Sequence, residues 1–69
     1  MLVDEQKKQA LLKNLAEKYP GRDKATIYRI EMVQGRCTML CPGGVAIDSA
    51  VASALSRFGE ERVVSIELQ

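Results

Sequence analysis

Pro42-Gly43-Gly44 separates a stretch of strand-like alternation from one with helical periodicity, and neither a helix nor a central strand runs easily through that triplet. It reads as the point where a strand ends and a crossover helix begins. The surrounding window, residues 36–44, also holds both cysteines, one of two prolines and two of the five glycines in the 69-residue chain. If the chain carries a site, its chemistry is concentrated there.

On the N-terminal side, Val3, Leu11, Leu15 and Tyr19 recur at multiples of four with Leu12 and Ala16 beside them, while Lys7, Lys8, Gln9, Lys13, Asn14 and Glu17 fill the other positions. This spacing predicts an amphipathic helix over residues 4–19, N-capped by Asp4 and stopped by Pro20-Gly21. Residues 25–33 then alternate, with Tyr28, Ile30 and Met32 on one face and Ile27, Arg29 and Glu31 on the other, the period of a half-buried strand. A turn at Gln34-Gly35 leads into a second apolar-rich run, giving an antiparallel hairpin over residues 26–40.

Beyond the break, Ile47, Val51, Ala54, Leu55 and Phe58 form a helical stripe opposite Ser49, Ser53 and Arg57, and Gly59 closes it. Residues 62–68 alternate again, with Val64, Ile66 and Leu68 facing one way and Val63, Ser65 and Glu67 the other. The order is α-β-β-α-β. Because strand–helix–strand crossovers keep the helix on one face of the sheet, the pattern predicts an α+β two-layer sandwich. Its three-stranded, mainly antiparallel sheet has residues 25–33 in the middle and both helices over Tyr28, Ile30, Met32, Val64, Ile66 and Leu68. Residues 1–69 read as one small domain.

A hydrophobic content of 46% with 28% charged residues belongs to a folding chain rather than a disordered one. A chain this short buries only about 60% of the surface its unfolded form exposes, so its stability margin is thin. Self-association through an unpaired edge or the open sheet face, as a homodimer, is the expected way to widen it. The longest apolar run, residues 42–55, is interrupted by Asp48, Ser49 and Ser53 and is too short and polar to span a bilayer. Met1 to Lys8 lacks the basic-then-apolar order of a secretory signal, which points to the cytoplasm. Two cysteines are too few for a disulfide framework, and both are expected to be reduced there.

The cysteines admit several chemistries. Cys41, placed just ahead of a helix starting within residues 42–45, would have its thiolate stabilised by free amides and the helix dipole, with Cys37 as resolving thiol. Against that, the chain has no histidine to serve as base, and cysteine commonly packs as a small hydrophobe. On one straight strand the two alpha carbons would lie about 13 Å apart, beyond the ~7 Å reach of a disulfide. Two thiolates make half a tetrahedral zinc site, so neither a metal nor a cofactor is expected.

Gly43 and Gly44 at a helix start would let a phosphate approach backbone amides, a weak signal without a fuller glycine pattern. The net charge of +1 gives no global attraction for nucleic acid, yet residues 18–36 carry five basic groups against two acidic. Within that span Arg22, Lys24, Arg29 and Arg36 could meet along the hairpin and contact phosphate, although Tyr19, Tyr28 and Phe58 fall at core positions and offer no stacking platform. The leading expectation is a non-enzymatic accessory domain that binds another protein through a sheet edge or the open sheet face. Its alternatives are a thiol-dependent redox protein or small enzyme using Cys41 and Cys37, and a weak nucleic-acid binder using residues 22–36.

Overall fold

The computed structural model describes residues 5–69, so the expected cap Asp4 and the apolar Val3 lie outside the described residues. Five elements follow one another: α1 (Glu5–Lys18), β1 (Lys24–Met32), β2 (Gly35–Ala46), α2 (Ile47–Phe58) and β3 (Val63–Leu68). The sheet order is β2-β1-β3, with β1 antiparallel to both neighbours. β2 and β3 are therefore parallel to each other, joined by α2 crossing over the central strand. This is the α+β two-layer arrangement that the order of periodicities predicts.

The core lies between the sheet and the two helices. Tyr28 and Ile30 of β1, Met39 of β2 and Val63, Ile66 and Leu68 of β3 supply the sheet side. Ile47, Ala50, Val51, Ala54 and Leu55 of α2 and Leu11 and Leu15 of α1 supply the helix side. At about 1.5–3 kcal/mol for each large apolar side chain removed from water, this cluster is the main force holding the layers together.

The two helices are held differently. α2 buries five residues along its apolar stripe and ends at Gly59, whose N–H donates to the Leu55 carbonyl at 3.0 Å. α1 buries only two, and polar ties supplement them. The Lys8 ammonium reaches Asp48 in the first turn of α2 at 2.7 Å, and that bond raises the lysine pKa. Lys18 bonds Glu67 of β3 at 2.6 Å, and the Tyr19 hydroxyl donates to the Leu68 carbonyl at 3.4 Å.

Three local expectations give way. First, Pro42-Gly43-Gly44 does not end β2. Leu40 pairs with Ile27 and Val45 with Ala25, so Cys41, Pro42, Gly43 and Gly44 bulge out opposite Thr26 alone before pairing resumes. Proline is tolerated because β2 is an edge strand, where its missing N–H costs no ladder bond. Gly43 and Gly44, at φ +82° and +85°, take the left-handed backbone that lets the excursion close on itself. The Tyr28 hydroxyl donates to the Val45 carbonyl at 2.8 Å, fastening the point where the ladder restarts. Only then, at Ile47, does the helix begin, its first N–H bonded to the Asp23 carbonyl at 2.9 Å.

Second, the hairpin turn is Val33-Gln34, one residue earlier than expected, because Met32 pairs with Gly35. Neither turn residue has positive φ, so this is not the mirror-image turn that matches strand twist unaided. Gly35, at φ +105°, supplies the compensating left-handed residue. Third, Val63 is buried and Val64 exposed, the reverse of the expected faces. The cause is a bulge: Glu31 pairs with Ser65 but Met32 with Val63, leaving Val64 as an extra residue that interrupts the alternation.

Candidate functional site

One face of the sheet is filled by the helices. On the other, the corrected register sets three rows across β1 and β2: Ile27 beside Leu40, Arg29 beside Thr38, and Glu31 beside Arg36. β3 adds Glu67 next to Arg29 and Ser65 next to Glu31. Arg29, Glu31, Arg36, Thr38 and Leu40 are exposed, so among the described residues no element covers this face. Leu40 is 66% exposed and the bulged Val64 54%, large apolar side chains left in water on the sheet.

The charges are interleaved. Arg29, Glu31, Arg36, Thr38 and Glu67 line a shallow depression of about 140 Å³. Lys18, bonded to Glu67 from the end of α1, holds that carboxyl below the usual carboxylate range, and the fields of Arg29 and Arg36 act in the same direction. Among the described residues Arg29, Glu31 and Arg36 form no ion pair within 4 Å. Their charges therefore remain presented to whatever meets the face.

The other candidate cations lie elsewhere. Arg22 precedes β1 and makes a long 3.5 Å contact to the Lys24 carbonyl, while Lys24 pairs with Ala46 beyond the β2 bulge. Arg29 and Arg36 are diagonal neighbours, a separation of about 7–8 Å between such positions. The hairpin thus does not gather Arg22, Lys24, Arg29 and Arg36 into one patch, because the bulge and four residues of strand lie between the two pairs.

Cys37 and Cys41 are free thiols on β2, half-buried and packed against the rim of the core. Cys41 stands six residues before the first residue of α2, so no helix N-terminus acts on it. Gly43 and Gly44 likewise sit in the bulge of a strand rather than at a helix start. Among the described residues no group of three or more cysteine or acidic side chains is placed to hold a metal ion. Tyr28 is fully buried, and that burial pushes its phenol above its ordinary pKa.

Leu40 and Thr38 are the members of this face that alternation alone misses, and the exposure of Val64 is missed with them. The turn assigned one residue late hides the β2 row, and the bulge at Val64 reverses the β3 pattern. Gly35 is the signal that recovers the first: a glycine directly after a two-residue turn of ordinary residues marks where pairing starts. Comparison with protein-family models, with curated proteins and with solved structures finds no match to this chain.

Proposed function

We propose that this chain is a non-enzymatic protein-binding module that works through its open sheet face. A single observation carries the reading: a three-stranded sheet with one face packed under two helices leaves the other face uncovered, with Leu40 66% exposed beside half-buried Ile27. Antiparallel sheets tolerate a wet face, but a wet face normally alternates to polar residues throughout. Here an apolar row lies next to interleaved charges, the composition of an interface with a polar rim. The sheet edges are poorer docking sites. β2 is interrupted by Pro42 and the wide bulge and β3 by the bulge at Val64, devices that discourage strand addition. A cytoplasmic location, with both thiols reduced, accompanies this reading; no helix among the described residues is long and apolar enough to cross a membrane.

The test is affinity capture with the wild-type chain and with Leu40→Glu, using as prey both host lysate and a differently tagged copy of the chain. A stoichiometric protein retained by wild type and lost with Leu40→Glu, at unchanged far-UV circular dichroism, is the expected result. Retention indifferent to the substitution, or no stoichiometric protein from either source, overturns the reading.

A further inference from the structure

We infer that the partner of the open face is a second copy of this chain, docked face to face about a two-fold axis running along the strands between β1 and β2. The inference rests on the reading above, since both require that face to be the binding surface. Its basis is the register. Across these strands Ile27 stands beside Leu40, Arg29 beside Thr38 and Glu31 beside Arg36. Rotation about an axis parallel to the strands and midway between them exchanges the two columns and leaves the position along the strand unchanged. Each β1 residue of one copy then lies over its own β2 neighbour's counterpart in the other, which is the self-complementarity a two-fold interface demands.

The resulting matches are favourable in every row. Apolar Ile27 meets Leu40, the Arg29 guanidinium meets the Thr38 hydroxyl, and the Glu31 carboxylate meets the Arg36 guanidinium, each contact made twice by symmetry. An axis between β1 and β3 would match Arg29 with Glu67, a carboxylate already bonded to Lys18, but it sets Glu31 over Ser65 and leaves Leu40 outside. Aligned sheets pack with their strands within about 30° of each other, so the arrangement is also one that sheets adopt.

Area and charge point the same way. A stable interface takes about 800 Å² from each partner, roughly one-sixth of this chain's 4680 Å² surface. On a body of 27 × 21 × 20 Å that is the scale of a whole face rather than of the six-residue edge strand β3. The face is balanced, Arg29 and Arg36 against Glu31 and Glu67. A nucleic-acid backbone would meet as many acids as bases there, whereas a second copy pairs Glu31 with Arg36 twice.

Sedimentation velocity of the purified chain from low micromolar to near-millimolar concentration tests this. The expected mass rises from 7.6 kDa to twice that value. Leu40→Glu, Glu31→Arg and Arg36→Glu should each weaken the dimer by about tenfold or more, because each sets a charge against an apolar group or against a like charge at two symmetry-related contacts. Mixing the Glu31→Arg chain with the Arg36→Glu chain should restore a dimer, since one acid–base contact then forms with its sign reversed and the other forms as in the wild type. That restoration cannot come from unfolded chains, so it decides the question even if Leu40→Glu fails to fold. A monomer at every concentration, or a dimer that withstands all three substitutions, overturns the inference. A monomer that still captures a host protein in a Leu40-dependent way removes the second copy while leaving the open-face reading standing.

Discussion

Arg29 and Ile30 are consecutive residues of β1, yet they belong to different media. Ile30 is wholly buried between the sheet and the helices, and Arg29 stands in water on the uncovered face. The sheet is one residue thick, so stability and recognition are separated by the direction in which a side chain leaves the backbone. The helix-side face must be apolar and close-packed, and its composition is dictated by folding. The other face is released from that demand, so its arrangement of Leu40, Arg29, Glu31 and Arg36 is free to encode a partner.

The sharpest way to break this contrast is to truncate both neighbours. Ile30→Ala should cost about 2–5 kcal/mol in urea unfolding, the transfer term plus the cavity left in a packed core. A loss below about 1 kcal/mol would show that the helix-side face is loosely packed. Tyr28→Phe comes next, because it keeps the ring but strands the Val45 carbonyl without its donor. A cost of about 1–3 kcal/mol is expected, with hydrogen-exchange protection lost first at Val45 and Ala46.

The same tyrosine carries the pH dependence. Its folded pKa is raised by burial, so at high pH the unfolded chain releases the phenolic proton before the folded one does. Stability from this group is present below the ordinary phenol value of about 10 and is lost as pH climbs above it. Tyr28→Phe should remove that alkaline slope, as measured by thermal melts over the corresponding range.

Arg29→Ala should change the stability of the isolated chain by no more than about 0.5 kcal/mol, as for surface positions generally. A larger loss would mean that the open face contributes to folding, as it would if melting were coupled to dimer dissociation; the concentration dependence of Tm separates the two. The smallest effect belongs to Lys18→Met. The fold should be retained while the Glu67 carboxyl, followed by NMR, titrates at higher pH than in wild type, because the bonded ammonium that lowers its pKa is gone.

Much of this architecture was legible residue by residue. The helix of residues 47–58 announces itself through Ile47, Val51, Ala54 and Leu55, all buried as their spacing requires, and Gly59 caps it. The central strand is equally plain, since Tyr28 and Ile30 alternate with Arg29 and Glu31 without interruption. The site was half legible. Ile27, Arg29, Glu31, Ser65 and Glu67 are assigned to the open face by alternation, whereas Leu40, Thr38 and Arg36 depend on the hairpin register, which shifts every partner when the turn moves by one residue.

The window around Pro42-Gly43-Gly44 shows the limit most clearly. Proline and glycine disfavour a regular strand through local backbone constraints, and a local rule ends the strand there. The strand continues because Tyr28, seventeen residues earlier, holds the Val45 carbonyl and because Lys24 and Ala25 pair with Ala46 and Val45 across the gap. Periodicity by itself determined the element order, the central strand and most of the core, since burying apolar side chains is a short-range reading of spacing. Register, both bulges and the membership of the open face were decided only by tertiary structure, because hydrogen-bond pairing between distant segments sets which residue stands beside which and sequence spacing does not encode it.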